Sequence, residues 1–227
     1  MNIGFMLIGG IATLVGMFIS GRLKSKFEYY SQQSLRNNMS GKEIAELMLR
    51  HYSIYDVKVQ LAEGFLTDHY NPVDKTVNLS EPVYNARSVS AAAVAAHECG
   101  HAVQHAEAYA PLRLRSAIVP IVKVSSGMQQ FLMLATVLTF SSAFGKTMLL
   151  ITLIVFGITA LFSLITLPVE FDASRRALVW LETTNTTMPN ELAGAKDALW
   201  WAAMTYVASA LAALASFVYL LWQYNRR

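Results

Sequence analysis

The chain has 227 residues, 54% of them hydrophobic and only 15% charged, with a net charge of +3 and a single cysteine. A mean hydropathy of +0.37 excludes a disordered chain and an ordinary soluble domain. The small positive excess lacks interleaved basic and aromatic residues, which excludes a nucleic-acid binder, and one cysteine excludes an intramolecular disulfide.

The apolar excess collects in four charge-free stretches of roughly 18–25 residues, the length that crosses a bilayer. The first runs from Met1 to Ser20. No Lys or Arg precedes it, whereas Arg22, Lys24 and Lys26 follow. That order marks a retained anchor with its N-terminus outside, not a cleaved signal, and it puts the next loop in the cytoplasm.

Within that loop, Ser40-Gly41-Lys42-Glu43 is a capping-box pattern. It predicts a helix to about His51, with Ile44, Leu47, Met48 and His51 on one face. Tyr55 to Leu61 alternates, with Val57, Val59 and Leu61 on one side, and predicts a strand that ends before a turn at Gly64. The polar stretch Thr67 to Asp74 reads as a turn, followed by a second strand, Lys75 to Ser80. Ser88 or Ser90 then caps an alanine-rich helix (Ala91, Ala92, Ala93, Ala95, Ala96) that runs into His97-Glu98-Cys99-Gly100-His101.

This is an H-E-x-x-H box. Residues four apart share a helix face, so both imidazoles can reach one tetrahedral Zn²⁺. Glu98, one residue after the first histidine, can reach an attacking water instead of the ion, the arrangement of a zinc hydrolase with Glu as general base. A strand just before a zinc helix can form the rim of a protease cleft and pair with an extended substrate, which makes Thr76, Val77, Asn78 and Leu79 the candidate edge.

The second span runs from about Val124 to Gly145, after an amphipathic approach from Leu112 that carries Arg113, Arg115 and Lys123. The third runs from Thr147 to Leu167 and stops at Pro168, read as a helix terminator. It returns the chain to the side of the box, at the charged cluster Glu170-Phe171-Asp172-Ala173-Ser174-Arg175-Arg176-Ala177. The fourth runs from about Leu199 to Tyr224 and leaves Arg226 and Arg227 outside, a mild violation of the positive-inside rule.

A catalytic zinc needs a third protein ligand and an open position. His105 continues the four-residue spacing, but three histidines at i, i+4 and i+8 on a straight helix span about 12 Å, too far for one ion. His51 and His69 are further candidates. Glu170 is better placed than either, because the topology brings this dense acidic site back to the side that holds the histidines.

The box, the helical hairpin of two spans and the cluster from Glu170 to Ala177 resemble the bacterial YugP-type membrane zinc metallopeptidases (neutral zinc metallopeptidases) over nearly the whole chain. At greater distance they are similar to the HtpX and CAAX-protease group of gluzincins. The resemblance implies that His97, His101 and Glu170 carry the zinc and that Glu98 is the base. Four residues after the ligand Glu the distant group has an Asp that orients a ligand histidine. This chain has Ser174 there and its acid at Asp172, either as an orienting group or as a ligand.

The expected fold is mainly α: four transmembrane helices with a small α+β, zincin-like cytoplasmic domain. The expected organisation is an anchor (1–20), the metallopeptidase domain (21–116), a transmembrane hairpin (117–168), a cytoplasmic segment with the third ligand (169–198) and a last span (199–227). The expected activity is zinc-dependent hydrolysis, one Zn²⁺ per chain, of membrane-associated or unfolded proteins at the cytoplasmic face of the bacterial inner membrane. An oligomer or a regulatory partner fits but is not specified. Asp172, Arg175, Arg176, His69 and Tyr70 are candidates to orient a ligand or stabilise an oxyanion. One rival is a site-2-type intramembrane protease, but only about nine apolar residues precede His97, too few for a span. The other is a scaffold with a structural zinc, which would need four closing ligands.

Overall fold

The computed structural model describes residues 3–64 and 66–226; the expected start of the first span at Met1 and the terminal Arg227 lie outside them. The chain divides into two compact units. One comprises the residues up to Ile19, Leu114–Leu167 and the residues from Thr205 onward; the other comprises Ser20–Arg113 and Pro168–Met204.

The described residues form, in order, α1 (Ile3–Ser31), α2 (Gly41–His51), β1 (Lys58–Ala62), β2 (His69–Asn71), β3 (Thr76–Ser80), α3 (Glu81–Tyr84), α4 (Val89–Ala106), α5 (Ala110–Leu138), α6 (Gly145–Thr183) and α7 (Pro189–Asn225). Among the described residues four helices, α1, α5, α6 and α7, are long and apolar enough to cross a membrane. In the first unit large apolar side chains such as Leu14, Phe131, Leu138 and Leu211 are exposed, as a lipid-facing surface requires. Polar contacts join α5 to α6: Gln129 Nε2 donates to Thr159 Oγ1 at 2.7 Å, and the Thr136 and Thr152 hydroxyls pair at 2.7 Å. In hydrocarbon such pairs hold helices together by about 1 kcal/mol.

The helices outrun their apolar stretches. α1 continues past Arg22, Lys24 and Lys26 to Ser31, because Lys and Arg are good helix formers. Its polar part belongs to the second unit, where Lys26 Nζ lies 2.7 Å from Asp197 and the Tyr30 hydroxyl donates to the same carboxylate at 2.8 Å. Pro168 does not terminate the third span, since α6 passes through it. The missing N–H at Pro168 costs about 3 kcal/mol, but Val169, Ala173, Ala177 and Trp180 beyond it are buried in the second unit and hold the helix. Residues 169–198 are therefore the end of α6, a turn and the start of α7.

The second unit has a three-stranded sheet of order β1-β3-β2. β3 pairs in parallel with β1 (Lys58 opposite Thr76) and antiparallel with β2 (Tyr70 opposite Val77). This corrects the edge-strand expectation for Val77, Asn78 and Leu79, because β3 is the central strand, paired with β1 along Thr76–Ser80 and with β2 along residues 76–78. All five of its residues are buried. Their polar groups are met internally, as where Asn78 donates to Thr76 Oγ1 and accepts from Gln60 Nε2. β2 was read as part of a polar turn. Asp68, just before it, accepts from the backbone N–H and the hydroxyl of Ser80, and burial raises its pKa above the usual carboxylate value.

The capping box is formed: Glu43 N donates to the Ser40 hydroxyl at 3.3 Å and Ser40 N to Glu43 Oε2 at 2.7 Å. Ser88 is the N-cap of α4, accepting from Ala91 N. The five alanines that follow are fully buried, and their small size lets α4 pack closely in the core beside α2.

Candidate metal centre

Two helix stripes meet in the second unit. On α4, His97, Gly100, His101 and Gln104 recur at i, i+3, i+4 and i+7, so they share a face. On α6, Glu170, Ala173, Ser174 and Ala177 do the same. The crossing point is Gly100, where a Cβ would lie 2.6 Å from Ala173 O and 3.1 Å from Ala173 Cα. Only glycine allows the two backbones to come this close. The close approach sets the two imidazoles against the carboxylate one turn earlier on α6.

His97 Nε2 lies 3.4 Å and His101 Nε2 3.6 Å from Glu170 Oε2. One donor atom from each of the three residues falls within 4.8 Å of the others. Four ligands at about 2 Å around a tetrahedral zinc are separated by about 3.3 Å, so the two measured edges suit a single ion. Glu170 is 2% exposed; it lies in a helix interior, not at a solvated helix start. Burial disfavours a charged His101, but the bond and charge of Glu170 outweigh it and raise the imidazole pKa. A buried carboxylate between two imidazoles thus favours a bound cation, and the donor set fits zinc.

The other side chains take distinct places. Glu98 is nearly buried, and Tyr70 N of β2 donates to its Oε2 at 2.9 Å. Ser174 pairs its hydroxyl with His97 Nδ1 at 3.1 Å. Asp172 is not in the cluster: it accepts from Gln104 Nε2 at 2.9 Å and from Arg175 and Arg176. Arg176 also pairs with Glu107. Both arginines are thus engaged by carboxylates, and neither joins the cluster. His105 pairs with the Tyr70 hydroxyl at 2.7 Å, and burial pushes that phenol up to about 12, so it keeps its proton. His51 packs edge-on to Tyr52 and Trp180, and His69 Nδ1 meets Thr67 O. Cys99 points the other way, to Ala45 O, and burial pushes its thiol pKa up.

Two residues of the site escaped the sequence reading. Gly100 fell on the unassigned position of the box, and only its lack of a side chain between two ligands signalled a close approach. Gln104 lies one turn beyond His101, a spacing that signals a shared face and nothing more.

Two imidazoles and a carboxylate at these distances could hold one metal ion, on a chain whose described residues include four membrane-length helices. Over residues 5–225 the chain matches the family described as "Putative neutral zinc metallopeptidase", and it belongs to that family. It is 43% identical over 193 residues, 85% of this chain and 84% of the relative, to the "Putative membrane protease YugP" of Bacillus subtilis (strain 168). No solved structure matches it.

Proposed function

We propose that the chain is a zinc-dependent endopeptidase of the gluzincin type, with a zincin-like unit acting on membrane-associated or unfolded proteins at the cytoplasmic face of a bacterial inner membrane. The observation that carries this is the convergence of His97, His101 and Glu170 with Glu98 beside them on α4. Zinc, when bound by those three residues, polarises the scissile carbonyl and makes water more acidic. Glu98 takes the proton of the attacking water and passes it to the leaving amine. The backbone N–H of Tyr70 holds one Glu98 oxygen at 2.9 Å, which leaves the other to work. With β3 central, β2 is the strand nearest the base whose outer edge can align an extended peptide.

A groove of about 400 Å³ between the faces of α6 and α7 is lined by Phe171, Ser174, Leu178, Leu199 and Trp200. Its apolar wall suits the side chains of an unfolded or membrane-derived segment. α4 is not among the helices apolar enough to cross a membrane, which argues against the intramembrane rival. The three-donor set, with Cys99 turned away, argues against a closed structural site.

Cleavage of an unfolded test protein by the purified full chain is expected to stop on chelation and to return with zinc. Cleavage that survives complete zinc removal would contradict the proposal.

A further inference from the structure

One buried amide has no part in the reaction just described. Gln104, fully buried, stands three residues after His101 on α4. Its Nε2 lies 2.8 Å from Val169 O and 2.9 Å from Asp172 Oδ2, a carbonyl and a carboxylate that only accept. Turning the amide over would set its oxygen against both, and a buried clash of acceptors costs more than a hydrogen bond returns. The amide orientation is therefore fixed by its partners.

Oε1 is left facing His101 Nδ1 at 3.0 Å. An amide oxygen only accepts, so Nδ1 must carry the hydrogen. In a neutral imidazole the other nitrogen then keeps its lone pair, and that nitrogen, Nε2, is the one 3.6 Å from Glu170. His97 is treated differently, because its Nδ1 meets the Ser174 hydroxyl, which donates or accepts by rotation and imposes no tautomer.

We propose that Gln104 is a positioning residue that holds His101 in its Nδ1–H form with Nε2 directed at the metal, and that Asp172 with Arg175 and Arg176 locks the amide. In the distant relatives the resemblance gives this kind of task to a single Asp. Here the acid reaches the histidine through an amide, and a separate serine serves the other ligand. The inference rests on the zinc-site reading but not on peptidase activity.

The test uses the zinc-loaded full chain in detergent. Zinc affinity is measured by chelator competition, and ring-¹⁵N histidine NMR follows the Nδ1 proton of His101. The wild type is expected to show a slowly exchanging Nδ1–H. Gln104→Met, which has no oxygen, should weaken zinc binding about 10–100-fold. Gln104→Glu keeps an oxygen for the Nδ1 proton but sets its second oxygen against Val169 O and Asp172, so it should not restore wild-type affinity; full recovery would overturn the lock. The proposal is overturned if Gln104→Met binds zinc as tightly as wild type, or if His101 in the wild type has no protected Nδ1–H. Should Gln104→Met fail to fold, the wild-type resonance decides alone. Loss of peptide cleavage in a wild-type chain that binds zinc in this way would remove the functional proposal and leave this one standing.

Discussion

Gly100 shows how a single position decides whether a site exists. In an ordinary helix interior Gly→Ala gains about 0.5–1 kcal/mol from backbone entropy. Here the new Cβ would meet backbone, the Ala173 carbonyl at 2.6 Å, not a side chain that can swing away. Overpacking of that kind costs about 1–3 kcal/mol, so the sign reverses. Gly100→Ala is expected to lower the thermal midpoint of the full chain and to weaken zinc binding, as α4 and α6 part and Glu170 withdraws from the imidazoles. A variant as stable as wild type with undiminished zinc affinity would show that the crossing is not what sets the ligand geometry. Residue types and spacing alone singled out His97 and His101, which the fold brings together with Glu170. Gly100 and Gln104 were not legible, since what they do depends on a helix seventy residues away in sequence.

Elements were legible where local rules act without competition. The capping box of α2 is one case, and replacing Ser40 by Ala should cost about 0.5–2 kcal/mol. Arg87, which pairs with Glu43, softens but does not replace that loss. Thermal unfolding of Ser40→Ala should show it with zinc content unchanged; a midpoint equal to wild type would mean the cap contributes nothing. Where tertiary packing competes with a local rule, the sequence misleads. Pro168 reads as a stop, but the buried face beyond it keeps α6 continuous. Thr76-Val77-Asn78-Leu79 reads as an edge because the short β2 that covers it lies hidden in a polar stretch. β2 has three residues, too few for periodicity to reveal.

At the scale of the molecule, composition already announced four membrane-length helices, and the charges around them imply an orientation. With Cys99 buried, introduced cysteines can report it against little background. Ser142, in the turn between α5 and α6, and Asn185, between α6 and α7, are both exposed. An impermeant maleimide added to intact cells should label Ser142→Cys, and Asn185→Cys only after permeabilisation. The reverse pattern would place the metal centre on the outer side. The central claim, however, is chemical: a zinc held by His97, His101 and Glu170, and a proton taken by Glu98. It is tested most directly by measuring zinc content and peptide cleavage on the same preparations of wild type and Glu98→Gln. The account predicts one zinc per chain in both, with cleavage in the variant reduced by about 10²-fold or more. A zinc-loaded Glu98→Gln chain that cleaves as fast as wild type would contradict it.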